Sequence, residues 1–196
     1  GRARGLCGSG LIDAVAEMLR VGLIDETGRF VSTEAAAQTL PEALCKRLVQ
    51  TERGYAFVLA GAGRQRVYLT QQDVRKLQLA KGAISAGIQI LMKELGLGGH
   101  AEIAEVLLAG AFGSYVSPTS ARAIGLVPPF PLSRLISVGN AASVGARMAL
   151  LSMEARKEAE AIARRVEHIE LSSRADFQDE FVTAMYFPAA GSFGGG

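Results

Sequence analysis

The chain has 196 residues, of which 49% are apolar and 20% charged, with a formal net charge of +2. That balance excludes a disordered segment and suits one domain, or two small ones, with a sizeable core. The basic residues are scattered, so nothing points to nucleic acid, and no apolar run approaches the roughly 20 residues needed to span a bilayer.

Gly5-Leu6-Cys7-Gly8-Ser9-Gly10 leads into a predicted helix with Leu11, Ile12, Val15, Ala16 and Leu19 on one face, and Gly22 suits its C′ position. A glycine loop opening a helix can receive an anion; the alternative is a plain cap by Ser9. Asp25 to Gly28 reads as a turn. Thr39-Leu40-Pro41-Glu42 has capping-box spacing and predicts a short helix through Leu48. Tyr55–Leu59 and Arg66–Leu69 flank Gly61-Ala62-Gly63, a β-hairpin signal.

Thr70-Gln71-Gln72-Asp73 is a second capping box, opening a long helix that Gly96 ends. Val74, Leu77, Lys81, Ile84, Ile88, Leu91 and Leu95 fall at three- and four-residue steps along it. Lys81 and Ser85 interrupt or border this stripe. A lysine there snorkels at the edge of the packed face or reaches a ligand lying along the helix. Gly82 and Gly87 lower helix propensity and point to close backbone approach.

The stretch Glu105 to Pro128 organises the rest. Glu105–Ala109 reads as a buried strand running into Gly110-Ala111-Phe112-Gly113, and Ser117-Pro118 caps a short helix that Gly125 ends. Leu135–Val138, the turn Gly139-Asn140 and a helix from Ala141 repeat that outline. Two such units predict neighbouring strands with a ligand crevice at their carboxyl ends; the glycines equally suit packing and capping alone. The helix continues or restarts from Glu154 to Val166, and Glu167–Leu171 alternates like an edge strand. Ser173-Arg174-Ala175-Asp176 is a third capping box before a helix bearing Phe177, Phe181 and Met185 on one side. His100 and His168 read as lone surface residues.

Cys7 and Cys45 are the two cysteines, in no cluster spacing, so this chain does not itself supply four ligands to zinc or an iron–sulfur cluster. A disulfide between them is one alternative; a reduced, cytoplasmic setting fits better. The glycine-rich start without methionine and the Gly-Gly-Gly end point to the C-terminal part of something longer.

The motifs in order are GLCGSGLIDAVAEMLRVGLID, LTQQDVRKLQLAKGAISAGIQILM, LLAGAFGSYVSPTSARAIGLVP, SVGNAASVGARMALLS and HIELSSRADFQDEFVTAMYFP. Together they resemble the C-terminal domain of the reductive activators of corrinoid-dependent enzymes. The resemblance implies an α/β, actin-like ATPase lobe with a mixed sheet covered by helices. It implies ATP and Mg²⁺ as cofactors, and a [2Fe–2S] ferredoxin-like domain upstream rather than in this chain. It implies as partner a corrinoid protein or corrinoid-dependent methyltransferase, reduced from Co(II) to Co(I). Gly110, Ala111, Phe112 and Gly113 are similar to the superfamily's adenosine motif, with Gly139 and Asn140 beside it. The helix carrying Gln78, Lys81 and Ser85 resembles the one lining the adenine side. The family's aspartate-glycine-threonine phosphate loops have no counterpart here. The rival readings are a non-catalytic lobe for docking a corrinoid protein or for forming a homodimer, and half of a small-molecule kinase.

Overall fold

The structure is a computed structural model and describes residues 2–189, with the side chains of Arg64, Ala111 and Phe112 outside the described set. In chain order the elements are α1 (Gly8–Arg20), α2 (Thr33–Thr39), α3 (Glu42–Cys45), β1 (Leu48–Thr51), β2 (Gly54–Ala60), β3 (Val67–Thr70) and α4 (Gln71–Glu94). There follow β4 (Val106–Ala109), α5 (Gly110–Gly113), α6 (Pro118–Ala123), β5 (Leu135–Gly139), α7 (Ala141–Leu151), α8 (Met153–Ala163) and α9 (Ala175–Ala184). The strands form two sheets. β1-β2-β3 is antiparallel, with the expected hairpin between β2 and β3. β4 and β5 pair in parallel, Val106 opposite Leu135 and Ala109 opposite Gly139. The two strand–glycine–helix units are therefore neighbours, as their sequence pattern requires.

Local chemistry explains most element ends. The Thr70 hydroxyl accepts from Asp73 N at 3.2 Å while the Asp73 carboxylate accepts from Thr70 N at 2.9 Å, closing a full capping box before α4. Ser117 caps α6 ahead of Pro118. At Gly125 the chain turns with φ +68°, and Leu126 N donates back to Ala121 O at 2.9 Å.

The other two capping boxes do not form. Thr39 ends α2, donating its hydroxyl to Ala35 O at 3.0 Å, and α3 follows Pro41 without a side-chain cap. α3 stops at Cys45 because Leu48 is drawn into β1 opposite Phe57. Ahead of α9, the Asp176 carboxylate is held by the Arg174 guanidinium at 2.9 and 3.0 Å and is not free to cap. Among the described residues Glu167–Leu171 pairs with no strand. Nor does Ser9 cap α1: Cys7 does, its sulfur accepting from Gly10 N at 3.4 Å.

A single apolar cluster joins α1 (Ile12, Val15, Leu19), the antiparallel sheet (Leu48, Phe57, Leu69), the start of α4 (Val74, Leu77) and the segment after α6 (Ile124, Val127, Phe130). α9 lies along α4. Its Phe177 and Phe181 rings stack with centroids 6.1 Å apart, and Gly82 of α4 lets Phe181 and Met185 approach so closely that a Cβ would meet both at 3.3–3.4 Å. This second neighbour widens and rotates the buried face of α4. Ala86, Ile90 and Met92 are buried, whereas Ile84, Leu91 and Leu95, in the expected stripe, are exposed.

α7 and α8 bury no residue, and Met148, Leu150, Leu151 and Met153 are exposed on them. Among the described residues no helix is long and apolar enough to cross a membrane.

Two glycines separate steric from conformational cost. Gly22 and Gly28 share φ of +75° and +76°, but a Cβ at Gly22 meets nothing within 4 Å while one at Gly28 falls 2.5–2.8 Å from the Gln78 amide. Gly22→Ala should therefore lose about 1 kcal/mol from left-handed strain alone. Gly28→Ala should lose about 2–3 kcal/mol, because Gln78 is also pushed off its hydrogen bonds. Urea unfolding of the two variants checks this; equal midpoints would refute the steric difference.

Candidate functional site

α4 presents Gln78, Lys81 and Ser85 on successive turns of one face, as three- and four-residue spacing demands. Lys81 and Ser85 open onto a cavity of about 580 Å³. Arg122 and Pro128 close a second side, and Tyr186, Phe187 and Pro188, beyond α9, close a third. Arg122 and this C-terminal segment carried no sequence signal of a site: an ordinary helix followed by Phe-Pro does not reveal what its carbonyls meet.

Lys81 does not snorkel. It is 1% exposed, its ammonium donates to Tyr186 O, and its Nζ sits 5.1 Å from the centre of the Phe187 ring. Among the described residues no carboxylate pairs with it. Burial lowers its pKa to about 8. Gln78, 3% exposed, is fully engaged: Nε2 donates to Met185 O at 2.9 Å and Thr27 O at 3.1 Å, and Oε1 accepts from Arg75 at 2.9 Å.

The remaining predicted site residues lie elsewhere. Parallel pairing of β4 and β5 sets Gly139 opposite Ala109, with Gly110 the next residue, at the carboxyl edge of the sheet. Their φ values are +96° and +71°, and a Cβ at either meets nothing within 4 Å. Gly110–Gly113 forms one helical turn, steadied by Ser137 Oγ donating to Gly113 O at 3.2 Å. Gly113 is different in kind, because a Cβ there would press on the Leu108 carbonyl carbon and oxygen at 3.1 and 3.2 Å. Its lack of a side chain serves packing on β4, so a valine there would disturb the fold before any ligand. Asn140 caps α7, its Oδ1 accepting from Ser143 N at 3.2 Å. The side chains of Ala111 and Phe112 lie outside the described residues. The structure thus gathers Lys81 and Ser85 at one cavity, and Gly110, Gly113, Gly139 and Asn140 at one sheet edge. None of the latter four lines the Lys81 cavity.

His100 is not a surface residue. It is half-buried, edge-on to Phe130 at 5.3 Å and within 3.1 Å of Gln89 Nε2. Both thiols are free. That of Cys7 is exposed, and its pKa is lowered by the Ser9 hydroxyl and the Gly10 N–H. Cys45 donates to Ala36 O at 3.3 Å. Among the described residues no group of three His, Cys, Asp or Glu could hold a metal.

The family described as the C-terminal domain of RACo, the ASKHA domain, matches residues 1–193. The chain belongs to this family. A solved reductive activator for corrinoid, iron-sulfur protein superposes with a TM-score of 0.80 at 36% identity, covering 93% of this chain and 28% of that one. The corrinoid activation enzyme RamQ of Eubacterium limosum is 35% identical over 94% of this chain and 31% of its own length. A Methanosarcina barkeri reductase of a methylated amine-specific corrinoid protein is 24% identical over 94% of this chain and 29% of its own. The chain spans about three-tenths of the proteins it matches. As an ASKHA domain it has the actin-like α/β fold.

The buried ammonium makes stability depend on pH. With its pKa near 8, Lys81 binds fewer protons in the folded chain than in the unfolded one up to the ordinary lysine value of about 10.4. Stability therefore rises with pH across that window. Urea unfolding from pH 7 to 10 should show the wild type gaining on Lys81→Met above pH 8; parallel profiles would refute the burial effect.

Proposed function

We propose that this chain is the nucleotide-binding C-terminal lobe of an ATP-dependent reductive activator that returns corrinoid proteins from Co(II) to Co(I) in methyl transfer. The observation that carries this is the parallel β4–β5 pair, with both glycine turns at its carboxyl edge, in a chain about 35% identical to corrinoid activators. Parallel α/β sheets hold ligands at that edge. The open space over Gly110 and Gly139 lets a nucleoside lie against backbone. Lys81 and Ser85 belong to the second wall, toward the cavity beneath Arg122. In this reading the electron comes from a [2Fe–2S] domain elsewhere in the protein, and the partner is a corrinoid protein.

A second reading, a docking or dimerisation lobe, is favoured by one feature, the uncovered apolar side chains of α7 and α8. Nucleotide binding separates the two. In the full-length protein, Gly110→Ala and Gly22→Ala place a Cβ in open space at similar positive φ, so their strain is comparable. Gly110→Ala should weaken Mg-ATP binding about tenfold, equivalent to about 1.4 kcal/mol, while Gly22→Ala leaves it unchanged. Equal affinities would overturn the nucleotide site.

Hydrolysis needs groups that hold Mg²⁺ and neutralise the β- and γ-phosphates. In the proposed division of labour these lie largely in the other lobe. The isolated 196-residue chain should therefore release no phosphate above background and gain no iron–sulfur absorbance after anaerobic reconstitution, whereas the full-length protein does both. Turnover by the isolated chain would place the catalytic groups within it.

A further inference from the structure

Gln78 and Lys81 are the buried polar side chains among the described residues. They lie three residues apart on one face of α4, and both turn toward the segment that leaves α9. Gln78 Nε2 donates to Met185 O at 2.9 Å, and Lys81 Nζ donates to the next carbonyl, Tyr186 O. Both carbonyls belong to residues just past α9, where no further helical turn offers them an N–H, so side-chain donors from α4 serve instead. The latch continues along the chain. Phe187 N donates to Glu26 O at 2.8 Å, its ring is 3% exposed, and Pro188 lies so close to Gly125 that a Cβ there would meet it at 3.2–3.3 Å. The strap from Met185 to Pro188 is thus held by α4 on one side and the Asp25–Gly28 turn on the other, and it forms a wall of the Lys81 cavity.

Hydrogen-bond capacity tells what these two side chains do. Both N–H groups of Gln78 are engaged, by Thr27 O and Met185 O, and its carbonyl accepts from Arg75. The Lys81 ammonium sits over the Phe187 ring and on Tyr186 O. Gln78 has no donor left to hand to a ligand, and Lys81 spends one of its three donors on a strap carbonyl, so both hold the strap backbone. We propose that Gln78 and Lys81 are positioning residues that build, from the C-terminal strap, one side of the Lys81 cavity, which is the second wall of the proposed nucleotide site, so that strap latching and nucleotide binding form one linked equilibrium. This rests on the nucleotide reading above. A ligand that binds the latched form alone must stabilise the latch by the same factor by which the latch strengthens binding.

Hydrogen exchange by mass spectrometry on the full-length protein, with and without Mg-ATP, tests this. In the wild type, saturating Mg-ATP should slow exchange in a peptide covering residues 185–189 by about tenfold. Gln78→Leu removes the donors to Met185 O and Thr27 O while keeping an apolar volume. It should speed strap exchange in the absence of nucleotide and raise the Kd for Mg-ATP in proportion to the latched fraction that is lost, with exchange in α1 and the β2–β3 hairpin unchanged. A purely structural role would instead speed exchange throughout and leave the strap indifferent to nucleotide. Mg-ATP binding without strap protection would overturn the linkage while leaving the nucleotide site intact. Absence of Mg-ATP binding by the wild type would overturn both. The wild-type comparison needs no variant, so the test stands even where Gln78→Leu fails to fold.

Discussion

An enclosed ammonium with no carboxylate paired to it among the described residues is the constraint on which the packing of this domain turns. An isolated buried charge is heavily penalised unless other groups solvate it. Lys81 is solvated by the Tyr186 carbonyl, two residues beyond α9, and by the face of Phe187, and both come from the C-terminal strap. Placing the strap there requires α9 to lie along α4, which the bare backbone at Gly82 allows. It also requires the Asp25–Gly28 turn to meet Phe187 N and the Gln78 amide, which the absence of a Cβ at Gly28 allows. One unneutralised charge thereby ties together three segments far apart in sequence.

The second organising feature is the parallel pair β4–β5. Parallel strands are ordinarily buried on both faces. Here Leu107 is 55% exposed, Val138 42% exposed, and the helices that follow β5 bury nothing. These exposed apolar side chains are the feature that favours the docking reading. The glycine turns share that same region, at the carboxyl edge of the pair. The lobe therefore has a well-packed half around α1, the antiparallel sheet and α4, and an open half around β4, β5, α7 and α8. The glycine turns sit in the open half, and the Lys81 cavity, between α4, the segment after α6 and the strap, borders the packed one.

Much of this was determined by the sequence alone, wherever the deciding contacts are local. The capping box at Thr70, the Ser117-Pro118 start of α6, the glycine stops at Gly22, Gly96 and Gly125, and both strand–glycine–helix units depend on groups within about five residues of one another. The motif order likewise sufficed to recognise the family. Only the tertiary structure decided the rest. Whether Asp176 caps a helix or binds Arg174 depends on a rotamer set by the packing of α9, and capping spacing is blind to that. The buried face of α4 rotated because α9 covers a side that periodicity leaves polar. Lys81 passed from an edge residue to a buried one because its partner carbonyl lies 105 residues away, a separation at which no local pattern carries information.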